Sequence, residues 1–300
     1  MTQMDDASDR AEGALVGLAV GDAVGTTLEF SKRDSKPPLT DMVGGGPFGL
    51  NPGQWTDDTS MALALGYSLA DRQGFDAVDC MNRFLDWYRR GTYSCTGTCF
   101  DIGNATAAAL QRYEKTGIAF SGSDDPRSAG NGSLMRLAPV AIWGARRSDA
   151  EILSVAREQS RTTHAAEECV AACEGYALLL ARAIRGEAKA DILKPLRIHG
   201  PQNISRIFAG SWRTKSRDAI RSSGYVAHTL EAALWSVAES DDYRGAVLLA
   251  ANLGDDADTV AAVAGQLAGA LYGRSAIPPD WLAKLAWAEE LEALAQRLFS

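Results

Sequence analysis

Apolar residues recur every three or four positions over most of this chain, and alanine fills many of the places between them. That spacing is typical of α-helices with a buried face, whereas the alternation typical of β-strands forms no persuasive series. The pattern therefore predicts an all-α fold. The predicted helices cover Asp9–Thr27, Asp58–Leu69, Phe75–Arg90, Asn104–Glu114, Asp149–Gln159, Ala165–Arg185, His228–Glu239, Tyr243–Asn252, Thr259–Tyr272 and Pro279–Phe299.

Two of the predicted helices carry glycine at every fourth position, which places the glycines on one face of each helix. A glycine inside a helix costs about 1 kcal/mol relative to alanine, so a series of them needs a compensating contact. We interpret these faces as places where two helix backbones approach closely, at the centre of the domain. The glycines are Gly13, Gly17, Gly21 and Gly25 in the first helix and Gly265, Gly269 and Gly273 in the second.

Length and composition predict one compact domain, an orthogonal helical bundle that covers residues 1–300. The chain has 300 residues, 46% of them hydrophobic, which is enough for a large core, and it has no linker-like segment or tandem repeat. Residues 1–10 are polar and acidic; we expect them to form a flexible tail, and they lack the apolar segment of a signal peptide. No apolar run is long enough to predict stable membrane insertion.

Charge and cysteine usage bear on the partners and the compartment. A net charge of −8 argues against a nucleic acid as the main partner. Five cysteines, an odd number without a secretory signal, predict reduced thiols in the cytoplasm. Two cysteine pairs have a four-residue spacing, and we favour small buried side chains over a zinc site because paired zinc ligands usually follow C-x2-C.

Two short stretches place paired carboxylates and a hydroxyl directly before an apolar helix. "QWTDDTSMALAL" contains Thr56, Asp57 and Asp58, and "GDDADTVAAV" contains three acids followed by Thr259. Helix capping explains one acid at each start, because N-caps favour Asp and the helix dipole favours anions. Capping leaves the other carboxylates unexplained, so their crowding favours bound cations. Oxygen ligands without His or Cys suit Mg²⁺ or Mn²⁺, and four or more carboxylates could hold two ions.

Four further features could carry chemistry, although each has an ordinary structural explanation. Glu29, in a loop after the first glycine-rich helix, could be a general acid or base, or a surface residue. Asp22 lies among small residues, and we expect it to be buried and paired in support of the site. The stretch Gly130–Ser133, before an apolar helix, could cradle a phosphate or form a plain turn. His164, at a predicted helix start, could donate to a phosphate or ribose, or face solvent.

Taken in order, the motifs of this chain resemble those of the ADP-ribosylglycohydrolase family. The resemblance covers about Ala11 to Gly273. Within the family, the chain is most similar to the bacterial glycohydrolases that reactivate ADP-ribosylated dinitrogenase reductase. Each motif alone is modest, but the ordered set is highly specific. The motifs are "GDAVGTTLEF", "GGGPFGLNPGQWTDDTSMALAL", "FDIGNAT", "SAGNGSLMRLAPVA", "TTHAAEEC", "GYVAHTLEAALW" and "GDDADTVAAVAGQLAGALYG".

The resemblance implies an all-α fold around a central cleft with two Mg²⁺ or Mn²⁺ ions. The implied ligands are Thr56, Asp57, Asp58, Asp256, Asp258 and Thr259. Asp255 is not counted, because many relatives have glycine there in a G-G-D-x-D-T pattern. Glu29 matches the family's catalytic glutamate, and Asp101 resembles a carboxylate near the scissile bond. The implied substrate contacts are Gly130, Asn131, Gly132 and Ser133 for the pyrophosphate, His164 for the substrate and Tyr225 for stacking on adenine.

The activity implied by the resemblance is hydrolysis of the glycosidic bond at C1 of the distal ribose of ADP-ribose. Arginine-linked mono-ADP-ribose on a protein is the expected substrate, with serine-linked ADP-ribose, O-acetyl-ADP-ribose and poly-ADP-ribose as alternatives. A non-catalytic ADP-ribose-binding or crystallin-like member is a further alternative, and a Mg²⁺-dependent phosphohydrolase fits the acids but not the loop motifs. The family prior favours a monomer.

Overall fold

The computed structural model describes residues 3–300, and it confirms the predicted all-α fold. Within these residues, strand-like pairing is limited to isolated bridges between single residues. The α-helices are α1 (Gln3–Gly25), α2 (Asp57–Arg72), α3 (Ala77–Arg90), α4 (Asn104–Thr116), α5 (Ala138–Gly144), α6 (Asp149–Thr163), α7 (Glu167–Ile184), α8 (Lys189–Ile192), α9 (Gln202–Phe208), α10 (Val226–Ala238), α11 (Tyr243–Ala251), α12 (Ala257–Tyr272), α13 (Pro279–Leu282) and α14 (Ala288–Phe299).

Helices α1 and α12 pack against each other along their glycine faces, as the sequence predicts. A Cβ atom added to Gly13 would lie 2.3 Å from the carbonyl oxygen of Gly269, and one added to Gly25 would lie 2.4 Å from that of Ala257. The two helices are therefore antiparallel. This direction brings the end of α1 to the start of α12, where the second acidic motif lies.

The other helices surround this central pair. Helices α7, α10 and α11 pack on α12, and α2, α5 and α14 pack on α1. Hydrogen bonds from two buried tyrosines tie the layers together, because the Tyr243 hydroxyl donates to Gly17 O at 2.7 Å and the Tyr176 hydroxyl donates to Val263 O. In residues 3–300, none of the helices has the length and apolar character that a membrane crossing requires. All five cysteines are free thiols.

The flexible tail predicted for residues 1–10 is wrong over residues 3–10, which form the first turns of α1. Contacts with distant elements hold this part of the helix. The Asp9 carboxylate accepts a hydrogen bond from Ser275 N at 3.0 Å, and Arg10 Nε donates to Ile184 O at 3.0 Å. Residues 1 and 2, which belong to the same predicted tail, lie outside the described residues.

The predicted helix Pro279–Phe299 is two helices, α13 and α14, separated by a turn. Trp287 has a left-handed backbone conformation, with φ of 57°, and cannot continue a helix. The backbone of Ala286 is bonded elsewhere, since its N–H donates to Gly53 O at 3.0 Å and its carbonyl accepts from Trp55 Nε1 at 3.1 Å. Helices α8 and α9 are also not predicted, because each has seven residues or fewer and shows too little of the helical pattern. The apolar helix expected after Ser133 is α5, which begins five residues later.

Candidate active site

Asp22 caps helix α2 and thereby leaves the acids at the helix start free for another role. Its carboxylate is fully buried in α1 and accepts hydrogen bonds from N and Oγ1 of Thr56, both at 2.9 Å. It also accepts from N and Oγ1 of Thr59, at 3.1 and 2.6 Å. Asp22 is thus buried and paired as predicted. Because this residue supplies the cap, capping does not explain Asp57 and Asp58.

Two groups of carboxylates come close enough to hold cations, and they share Asp258. Ligand oxygens of Asp22, Asp58 and Asp258 lie within 4.8 Å of one another, and so do those of Glu29, Asp256 and Asp258. The three helices that contribute these groups are α1, α2 and α12, joined by the loops that flank them. The two acidic motifs meet because α1 packs antiparallel on α12 and because Asp22 of α1 is hydrogen-bonded to the start of α2.

Hydroxyl groups from both motifs lie inside this acidic cluster. Thr56 Oγ1 lies 3.4 Å from Asp258 Oδ2, and Thr259 Oγ1 donates to Asp58 Oδ1 at 3.3 Å. The second oxygen of Asp58 is buried without a hydrogen-bond partner. A buried carboxylate oxygen without a donor is costly, and a metal ion would satisfy it. The oxygen-only donor set fits a hard divalent cation such as Mg²⁺ or Mn²⁺.

The charge of the cluster is not balanced by side chains. Within residues 3–300, every salt bridge of an arginine or lysine involves acids outside the cluster. Burial and the charge of Asp258 raise the pKa of Asp22 and of Asp256 to about 7. Burial also raises the pKa of Asp57 and of Asp58 well above the usual range. Bound cations would offset this repulsion.

The cluster opens into a cavity of about 660 Å³, a volume suited to a nucleotide-sized ligand. Glu29 is 4% exposed, and its Oε2 accepts a hydrogen bond from Asp258 N at 3.3 Å. Burial, followed by the charge of Asp258, raises the pKa of Glu29 far above its usual range. The same two causes raise the pKa of Asp101 to about 11. Both predicted catalytic acids therefore face the cavity beside the acidic cluster.

Ten of the residues named from the sequence line this cavity. They are Glu29, Asp57, Asp101, Gly130, Asn131, Gly132, His164, Asp256, Asp258 and Thr259. The cavity thus brings together the acidic motifs, the glycine loop and His164. Thr56 and Asp58 lie behind the cavity wall, fully buried in the acidic cluster. Ser133 and Tyr225 do not line the cavity.

Ser133 and Tyr225 are turned away from the cavity. Ser133 is fully buried, and its hydroxyl lies 2.8 Å from that of Ser160. Tyr225 lines a separate cavity of about 600 Å³, where its hydroxyl accepts a hydrogen bond from Asn203 Nδ2 at 2.6 Å. Its backbone nevertheless pairs with that of Gly130, so the tyrosine is adjacent to the glycine loop.

The glycine loop makes room for the imidazole of His164. A Cβ atom on Gly132 would lie 2.7 Å from the His164 Cε1 atom, and one on Gly130 would lie 3.4 Å from its Nε2 atom. Thr163 Oγ1 lies 2.8 Å from the other ring nitrogen. Burial, with the nearby charge of Arg136, lowers the pKa of His164 to about 3, so its imidazole is neutral. The neutral imidazole can donate or accept a hydrogen bond with a ligand.

The sequence places two of these features wrongly in the secondary structure. His164 ends helix α6, which continues through Thr163, and does not begin a helix as predicted. Ser133 is followed by turns, and helix α5 begins only at Ala138, so the loop Gly130–Ser133 is not a helix start. The loop is fixed instead by Asn131, whose Nδ2 donates to Thr229 Oγ1 at 2.9 Å and to Asp256 Oδ2.

Asp255 is separated from the acidic cluster. It is exposed and has a left-handed backbone with φ of 57°. Its N–H donates to Ser31 O at 2.7 Å, and its carbonyl accepts from Phe30 N at 2.7 Å. Glycine adopts this conformation most easily, which accounts for a glycine at this position in the family pattern.

Aromatic residues that were not predicted from the sequence also border the cavity. Phe30 and Phe48 both line it, with ring centroids 6.3 Å apart. Phe30 follows Glu29 directly in the chain, and this adjacency is the signal that could have identified it.

A buried carboxylate cluster at the wall of a ligand-sized cavity is a candidate enzyme active site. The profile described as ADP-ribosylglycohydrolase matches residues 3–300. The chain belongs to the ADP-ribosylglycohydrolase family, whose members hydrolyse glycosidic bonds.

Individual relatives cover nearly the whole chain. It is 52% identical to the ADP-ribosylarginine hydrolase Tri1 of Pseudomonas putida (strain GB-1), over 98% of this chain and 79% of that protein. It is 33% identical to the ADP-ribosyl-[dinitrogen reductase] glycohydrolase of Rhodospirillum rubrum, over 96% of this chain and 94% of that protein. A solved structure described as an ADP-ribosylglycohydrolase-related protein complex superposes with a TM-score of 0.88 at 44% identity, covering 98% of both chains.

Proposed function

We propose that this protein removes ADP-ribose from arginine side chains of proteins, by cleaving the glycosidic bond at C1 of the distal ribose. One observation carries the proposal: two clusters of acidic residues, one of which includes Glu29, meet at the wall of a ligand-sized cavity. The choice of arginine is supported by relatives in Pseudomonas putida and Serratia proteamaculans, both named as ADP-ribosylarginine hydrolases, at 52% and 49% identity.

Two Mg²⁺ or Mn²⁺ ions are the proposed cofactors. The residues that would hold them are Thr56, Asp57, Asp58, Asp256, Asp258 and Thr259, with Asp22 behind them. When bound, such ions supply positive charge that orients the hydroxyl groups of the ribose. The unpartnered Asp58 oxygen supports this assignment, and so does the fact that no arginine or lysine among the described residues forms a salt bridge with an acid of the cluster.

Glu29 is the proposed proton carrier of the reaction. Its carboxyl group is buried at the cavity wall, and its raised pKa favours holding a proton at an oxygen that faces the substrate. Positive charge develops on the ribose ring as a glycosidic bond breaks, and neighbouring carboxylates stabilise it. Asp101, on the same cavity wall, is the proposed second acidic residue of this step.

The glycine loop is the proposed binding site of the pyrophosphate. Gly130 and Gly132 have no side chains to obstruct a ligand, and His164 presents a neutral imidazole beside them at the cavity wall. Asn131 ties the loop to Asp256 and so connects the pyrophosphate site with the acidic cluster. Tyr225 is the proposed stacking partner of the adenine. The adenine would then extend past Gly130 towards the second cavity, which Tyr225 lines. Ser133 would contribute through its backbone, since its side chain is buried.

A panel of linkages tests the function. Arginine-linked, serine-linked and acetyl-linked ADP-ribose are assayed side by side, with Mn²⁺ and with a chelator. We expect the arginine linkage to be hydrolysed fastest and the chelator to stop turnover. Glu29→Gln, which keeps the size of the side chain and removes its acid, should lower kcat by at least about a hundredfold while ADP-ribose still binds.

Three outcomes would overturn parts of this assignment. Turnover that is unchanged by a chelator would exclude the cofactors, and faster hydrolysis of another linkage would change the substrate. ADP-ribose binding without turnover of any linkage would indicate a non-catalytic member.

We further propose that the enzyme acts as a monomer in the cytoplasm, on ADP-ribosylated proteins. Size-exclusion chromatography with light scattering tests the oligomeric state.

A further inference from the structure

Phe30 has an exposed aromatic ring and a strained backbone, and neither feature stabilises the fold. Its side chain is 68% exposed, the largest exposed fraction among the large hydrophobic residues of the described chain. Its backbone is left-handed, with φ of 56°, a conformation that costs a bulky residue free energy. A strained backbone that places an exposed ring at the cavity wall, next to Glu29, is typical of a residue with a functional role.

The position of Phe30 is fixed by the backbone of the second acidic motif. Phe30 N donates to Asp255 O at 2.7 Å, and Ser31 O accepts from Asp255 N at 2.7 Å. These reciprocal bonds join two left-handed residues, since Asp255 has φ of 57°. The backbone of Phe30 is therefore held against the start of the second acidic motif, and both Phe30 and Asp256 line the cavity.

Two further aromatic rings extend from Phe30 along the loops. The Phe30 and Phe48 ring centroids are 6.3 Å apart with the planes at 71°, and the Phe48 and Phe100 centroids are 5.2 Å apart. Because Phe48 meets Phe30 in an edge arrangement and Phe30 stays largely exposed, a ring surface remains available to a ligand. Asp101, the residue after Phe100, again lines the cavity.

We infer that Phe30 binds the guanidinium group of the modified arginine by stacking against it, and so selects arginine-linked substrates. This inference rests on the proposed function. A planar guanidinium stacks on aromatic rings, and the face of the ring attracts its positive charge. Phe30 follows Glu29, the proposed proton carrier at the scissile bond, whereas the ADP part of the substrate is proposed to lie at Gly130 and Tyr225. The group nearest to Phe30 is therefore the arginine side of the bond.

Kinetics of Phe30 variants test this role with two readouts. One is KM for ADP-ribosyl-arginine, and the other is the inhibition constant of free ADP-ribose, which has no guanidinium. We expect Phe30→Ala to raise KM roughly tenfold and to leave the inhibition constant unchanged. Phe30→Trp, which keeps a ring, should retain wild-type KM, whereas Phe30→Leu should behave like Phe30→Ala.

The matched control is Ile118→Ala, which removes another exposed apolar side chain, 62% exposed, that does not line the cavity. It should change neither readout. An unchanged KM in Phe30→Ala, an equal rise in the inhibition constant, or full activity of Phe30→Leu would each overturn the inference. Failure of the wild-type protein to hydrolyse ADP-ribosyl-arginine would instead defeat the proposed function and this inference with it.

Discussion

At the scale of single residues, three neighbouring aspartates have different environments. Asp256 and Asp258 belong to the buried cluster, whereas Asp255 is exposed and contributes through its backbone. The resemblance separates them in the sequence, because the pattern G-G-D-x-D-T of many relatives implies glycine at the position of Asp255. The left-handed φ of Asp255 supplies the physical reason for that glycine.

Replacing Asp255 by glycine should therefore have little effect on the reaction. Asp255→Gly keeps the two backbone hydrogen bonds and removes a left-handed non-glycine residue. We expect kcat/KM to change by no more than about twofold, as for other surface substitutions. Asp256→Asn is the matched comparison, since it removes one charge from the buried cluster, and it should weaken Mn²⁺ binding in calorimetry.

Similar losses of Mn²⁺ affinity in both variants would contradict this distinction. They would mean that the Asp255 side chain contributes to the cluster.

At the scale of helices, the packing of α1 on α12 determines where the site forms. Gly17 faces Gly265, and a Cβ atom on Gly17 would lie 2.5 Å from the Gly265 carbonyl oxygen. Carbonyl groups inside a helix cannot move away easily, so a methyl group here must push the helices apart. Such a displacement would also separate Glu29 from Asp258, which lie at the ends of these helices.

Gly17→Ala should destabilise the protein, although alanine favours a helix more than glycine does. We expect the free energy of unfolding to fall by about 1–3 kcal/mol, measured by urea denaturation, because overpacking outweighs the propensity gain. Gly74→Ala is the control, since a Cβ atom on Gly74 would meet nothing within 4 Å. A Gly17→Ala protein as stable as Gly74→Ala would show that the helices can separate without cost.

The central helices could be predicted from the sequence because each carries a long, regular signal. The glycine spacing predicts the contact of α1 with α12, and the acids before α2 and α12 predict their convergence. The break at Trp287 could not be predicted, because it depends on hydrogen bonds of Ala286 with residues more than two hundred positions away. The cap that Asp22 places on α2 is equally non-local, and the helical pattern around Asp22 shows only that this residue is unusual.

At the scale of the whole molecule, the acidic cluster makes stability depend on bound cations. The centre of the domain holds several buried carboxylates that repel one another. Folding without cations must therefore either protonate these groups or bury their charge. The metal-free protein should consequently respond to pH in the opposite sense to a protein whose acids are stabilised by ion pairs.

The sign follows from the raised pKa values of Asp22 and Asp256, each moved from 3.8 to about 7. The folded state binds protons that the unfolded state has released, so metal-free stability should be highest below about pH 4 for these groups and fall as pH rises to about 7. Mn²⁺ requires deprotonated ligands and stabilises the folded state more at high pH. The difference in Tm between Mn²⁺-loaded and chelated protein should therefore widen from pH 5.5 to pH 8. Asp256→Asn should reduce that widening, and a constant difference across this range would mean that the cluster does not bind the ion.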